Sequence, residues 1–211
     1  MRSFKRVAAV AMAAGLLLGM GGAATAATAS AATRAPAWSR ARLTGGDTSV
    51  TTAPGVAAAL LGHGIVPLAV LPGTEGASVG SSGVAVVFTF PVTGGWVNLS
   101  TLHGSIRHSG GILFTDPATG KQIEVSDFII SVHEGVLTAE VNGDASTRVP
   151  LLNLSLAHAT VHAGGHQVRI SGIVLTLTKT AASALDATFG TTLFTAGLEL
   201  GTASTTLRYR A

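Results

Sequence analysis

From Val84 onward the chain alternates apolar and polar positions with the period of a strand. Val84, Val86, Phe88 and Phe90 share one parity and Ala85, Val87 and Thr89 the other, which predicts a half-buried strand closed by Pro91. Residues 104–114 read as strand sequence split at Gly110-Gly111, and residues 116–120 (DPATG) as a turn. Residues 121–132 and 136–141 form a predicted hairpin about His133-Glu134-Gly135, with Leu137, Ala139 and Val141 toward the core. Asn142-Gly143 turns the chain again.

Between residues 149 and 178 the phase slips once in each of two strands. Leu152, Leu154 and Leu156 are apolar on even positions, then Ala159 and Val161 on odd ones. Val168 and Ile170 are even, then Ile173, Leu175 and Leu177 odd. A two-residue turn at Gly164-Gly165 sets Val161 opposite Val168 and brings both slips together near Ala157 and Gly172. The expectation is a long hairpin bent by a bulge. Residues 55–61 suit two helical turns, and Thr180 is the expected N-cap of a short helix through Leu185 and Phe189, stopped by Gly190. Residues 198–209 read as a final strand. The predicted class is all-β: an antiparallel sandwich or open barrel with a long bent hairpin and one short helix.

The N-terminus follows another pattern. Arg2, Lys5 and Arg6 precede an apolar run from Val7 to Met20 and small residues with Ala-x-Ala steps, the layout of a secretory signal. Residues 1–32 are read as that signal, cleaved between Ala26 and Thr33, which makes the protein secreted. Residues 33–54 lack periodicity and read as a flexible segment, with Trp38 as their one apolar anchor; residues 55–211 read as a single β-rich domain. Without the signal, the 13 basic residues fall to 10 against 10 acidic ones. From Leu43 on, seven basic residues face ten acidic, so no basic stripe for nucleic acid or anionic lipid is expected, and no membrane span beyond the signal. There is no cysteine, which excludes a disulfide scaffold, a thiol nucleophile and a thiolate metal site.

Seven histidines are the only group that suggests chemistry. His158, His162 and His166 recur every four residues, but the hairpin register scatters them over both faces, and no metal site is assigned. His108-Ser109 is adjacent in sequence only, and no Gly-x-Ser-x-Gly elbow encloses a serine. Glu124 and Asp127 have opposite parity. No catalytic set emerges, and the chain is read as a non-enzyme.

Residues 102–114 (LHGSIRHSGGILF), followed by 123–130 and 135–141 (GVLTAEV), resemble HtaA-type domains. The resemblance implies an exported, β-rich, haem-binding module of a Gram-positive cell surface, with haem iron held by a tyrosine that a histidine supports. The chain departs from that pattern. Its only tyrosine is Tyr209, and Gly110-Gly111 stands where the family has Gly-His, with His108 two positions upstream. His108 is therefore the candidate haem ligand, and His103, five residues before it, is expected on the opposite side. The reading is an extracellular or cell-surface binding or structural module with a cell-wall or small-ligand partner; the alternative is an HtaA-like haem or metal binder, and a secreted hydrolase comes last.

Overall fold

A computed structural model describes residues 40–80, 83–98, 101 and 103–210, all within one compact unit. The expected signal and Trp38 lie outside the described residues. The elements are β1 (Ala41–Thr52), α1 (Val56–Gly62), β2 (Val66–Val70), β3 (Thr74–Gly80), β4 (Gly83–Asn98), β5 (His103–His108), β6 (Gly111–Asp116), β7 (Lys121–Ser131), β8 (Val136–Val141), β9 (Asp144–Ser155), β10 (Thr160–Gly164), β11 (Gln167–Leu177), α2 (Lys179–Phe189) and β12 (Glu199–Arg210).

Eight of these strands form a ring, β7-β5-β4-β1-β12-β11-β9-β8, which the β8–β7 pairing closes. The all-β expectation holds, and the barrel is closed rather than open. Closure satisfies every ring strand on both sides, and eight strands make an interior that side chains nearly fill. Phe88, Phe90, Ile106, Val125, Leu175 and Leu207 are among those that do. Outside the ring, β6 and then β2 extend from β7, β3 lies on β4, and β10 pairs with β11.

Residues 41–52 are not a flexible segment. They are β1, in the ring between β12 and β4. Two features hide the strand in the sequence. One inward position carries Thr48, a polar residue buried here, and Gly45 marks a register shift that breaks the alternation.

Pro91 does not close β4 either. The strand runs on to Asn98, with Pro91 opposite Asp47 and a bulge against β5 between Val92 and Gly94. Proline is tolerated beside such an irregularity because the ladder is already interrupted there. The N-cap of α2 is Thr178, not Thr180. Its Oγ1 accepts from the Ala181 N–H at 3.2 Å and donates to the Pro150 carbonyl at 2.7 Å, fastening the helix to β9 while capping it.

The long hairpin is bent where the two phase slips meet. β9 ends at Ser155, β10 begins at Thr160, and β11 shifts register against β12 between Ile170 and Ile173. The tip differs from expectation by one residue: Val161 pairs with Ile170, Ala163 with Val168, and the turn is Gly165-His166. Gly172 has φ +77°, and a Cβ there would lie 2.9 Å from the His158 carbonyl oxygen. Gly172→Val is therefore expected to destabilise by about 1–3 kcal/mol, the usual scale for a strained backbone position. A shift in urea midpoint measures it; an unchanged midpoint would refute the strained bend.

Candidate functional site

β5 places Ile106 and His108 inside the barrel and Ser105 and Arg107 outside. His108 is 5% exposed. Its Nε2 lies 2.8 Å from Thr48 Oγ1 on β1, the Thr48 hydroxyl donates to Thr205 Oγ1 on β12 at 2.8 Å, and the Thr205 hydroxyl donates to the Asp47 carbonyl at 3.3 Å. Because each threonine hydrogen is committed onward, the hydrogen between His108 and Thr48 must sit on Nε2. The relay thus assigns the Nε2–H tautomer and leaves Nδ1 as a bare electron pair. That atom is buried and makes no hydrogen bond of standard geometry among the described residues. Burial lowers the His108 pKa from 6.5 to about 4, while the Phe128 backbone carbonyl beside the ring acts in the opposite sense. The ring is neutral at physiological pH.

His108 and Thr48 are part of the wall of an otherwise apolar cavity of about 110 Å³ that also takes in Phe88, Phe90, Phe128, Leu60 and Phe194. Phe90 meets Phe128 edge-on, with ring centroids 4.9 Å apart. Beyond α1 lies a second space, a cleft of about 490 Å³ between the helix and residues 193–200. Val56, Leu60, Phe194 and Leu200 border both, and so form the partition between cavity and cleft.

The Gly110-Gly111 break offers no room for a ligand, contrary to the impression its sequence gives. A Cβ at Gly110 would lie 2.5 Å from the Gly73 nitrogen, and one at Gly111 would collide with the Val125 carbonyl. The space lies inside the barrel instead. His103 faces outward and stacks on His133, with centroids 4.0 Å apart. His158, His162 and His166 are exposed, and no three metal-ligating side chains cluster among the described residues. Tyr209 is not on a loose terminus: it is 9% exposed on β12, opposite Leu43, with its ring edge-on to His166 at 6.0 Å. It lies four residues from Thr205, or about 13 Å along the strand, so Tyr209 and His108 do not converge.

The family model described as Htaa matches residues 71–193, more than half of the chain. The chain belongs to the Htaa family. The Htaa match runs from the turn before β3 to the segment after α2, so His108 falls within it and β1 and β12 fall outside. The crystal structure of the C-terminal domain of HtaA from Corynebacterium glutamicum is similar at TM-score 0.53 and 17% identity, covering 81% of this chain and 99% of that one. That likeness extends the shared fold to about four fifths of the chain. The heme binding protein HtaB of the same organism aligns at TM-score 0.41 and 12% identity over 81% of this chain and 97% of that one, too slight a likeness to argue from. No curated protein matches the chain.

Proposed function

We propose that the protein is an exported, non-enzymatic haem-binding module of the Htaa type in which His108 meets the iron. The observation that supports the reading is the Nδ1 of His108, a neutral nitrogen buried without a hydrogen bond of standard geometry on a residue that lines a phenylalanine-rich cavity. An unpartnered buried polar atom costs stability, and a ligand that bonds to it removes that cost.

The donor and the walls fit a haem. Neutral imidazole is a common iron ligand, and Phe88, Phe90 and Phe128 match the hydrocarbon of a flat macrocycle. The cavity alone is of benzene size, near the roughly 150 Å³ of a well-known engineered void. Joined to the cleft across the Leu60–Phe194 partition, it enters the range of about 300–1,000 Å³ typical of small-molecule sites. Entry therefore requires α1 to move. That helix is seven residues long, begins at Gly55 with no side-chain cap, and lacks an acidic first turn; it is weakly held.

Bound haem would supply a redox-active iron. The chain's own part is to hold and to orient. The Thr48–Thr205 relay fixes the imidazole tautomer, as second-shell hydrogen bonds do for metal-binding histidines, and the apolar wall excludes water. Tyr209, four residues farther along β12 than Thr205, takes no part.

Titration of the purified protein with haem tests this. A Soret band is expected in wild type and in Tyr209→Phe, and is lost or shifted in His108→Phe, a near-isosteric change that keeps the core filled. Equal bands in wild type and His108→Phe overturn the site. No band in wild type leaves the structural-module reading.

A further inference from the structure

The chain's near balance of charge conceals a strong asymmetry. Of nine described basic side chains, five (Arg40, Arg42, Arg107, Arg208 and Arg210) lie at one end of the barrel's outer face. The pairing register arranges them. Arg210 on β12 pairs with Arg42 on β1, and Arg42 with Trp96 on β4. In the next row Arg208 pairs with Gly45, and Gly94 with Arg107 on β5. Arg208 on β12 and Arg107 on β5 thus flank β1 and β4, and the Arg208 guanidinium extends over Gly45, 3.6 Å from where a Cβ would stand. Arg40 lies over the Trp96 ring, 4.8 Å from its centroid.

All five arginines are exposed, and none forms an ion pair among the described residues, where the one salt bridge is Arg148–Glu140. Asp47, paired with Thr206 in the following row, is a carboxylate that borders the patch. Five like charges crowded together repel one another and lower stability unless an anion neutralises them.

We infer that this face binds a linear polymer that carries phosphates along its backbone. Guanidinium forks match phosphate oxygens in pairs. Arg107 and Arg208 stand three strand spacings apart, about 14 Å, and the rows are about 7 Å apart, a footprint too wide for one phosphate and suited to several in series. Among the described residues the patch itself carries one indole, Trp96, and Arg40 lies over it, which leaves little of the base-stacking surface that single-stranded nucleic acid uses. A polymer whose charge is in its backbone and which carries no bases fits better. The face lies outside the barrel, so the inference stands or falls independently of what the cavity holds.

Linear polyphosphate serves as the probe, with inorganic phosphate, poly-L-glutamate and a charge-matched single-stranded DNA as comparisons. Polyphosphate is expected to bind, to weaken steeply with added salt, and to resist displacement by inorganic phosphate at equal phosphorus concentration. Arg42→Ala/Arg208→Ala/Arg210→Ala should lose about tenfold or more in affinity and show a shallower salt dependence, whereas Lys121→Ala/Lys179→Ala should bind as wild type does. Equal loss in both variants would reduce the effect to net charge and overturn the site. Tighter binding of DNA or polyglutamate than of polyphosphate would overturn the assignment of the partner. Haem binding should be unchanged in either variant.

Discussion

Gly46→Ala is expected to lower stability by about 3–5 kcal/mol, at the upper end for a single substitution. Gly46 is buried in β1 with φ +131°, and a Cβ there would collide with the Thr206 carbonyl oxygen and crowd Leu207 Cα at 3.1 Å. Both obstacles are backbone atoms of β12, so relief requires the two strands to separate at the seam that joins them. Gly76→Ala is the control. Nothing lies within 4 Å of the Cβ it would introduce, its backbone is not in the positive-φ region, and its cost should stay near or below about 1 kcal/mol. Urea unfolding of both variants separates the two. Equal midpoints would mean that the β1–β12 seam is not closely packed at Gly46.

Acidification is expected to weaken the apo protein between about pH 6.5 and 4. The folded-state pKa of His108 lies near 4 against 6.5 for an exposed imidazole, so across this interval the unfolded chain binds a proton that the folded chain refuses. Stability therefore rises with pH: the full contribution is present above 6.5 and is lost as pH falls toward 4, to a total of about 3 kcal/mol. No other titratable side chain lines the cavity, so the effect should belong to one residue. His108→Phe should flatten the acid limb while leaving stability at pH 7 within about 1.5 kcal/mol of wild type. A limb of the same slope in that variant would place its origin elsewhere.

The strands that were legible in the sequence are those whose inward residues are apolar. Phe88 and Phe90, Leu137 and Ala139, and the slipped run that ends at Leu175 and Leu177 all announce their faces. β1 does not, because its inward Thr48 is polar; what makes it a core residue is a hydrogen bond to His108, 60 positions away, and another to Thr205, 157 positions away. Local periodicity carries no trace of such partners. His108 is marked out by the HtaA-like segment in which it lies, but its Nε2–H tautomer follows from the relay alone. The arginine face was equally hidden. Arg42 and Arg210 lie at opposite ends of the chain, and counting charges along the sequence averages them away, whereas the barrel sets them side by side.

The pairing of β1 with β12 also bears on how the molecule is made. The first described strand has one of its two ring partners in residues 199–210, so the ring cannot close while those residues are still in the ribosome or a translocation channel. Its contacts of highest sequence separation form last, at the full entropic cost of closing a long loop. Until then the chain is a series of unclosed hairpins, a state that can be threaded in extended form. Early completion of the ring around β1 is thereby held back until residues 199–210 are free to pair with it.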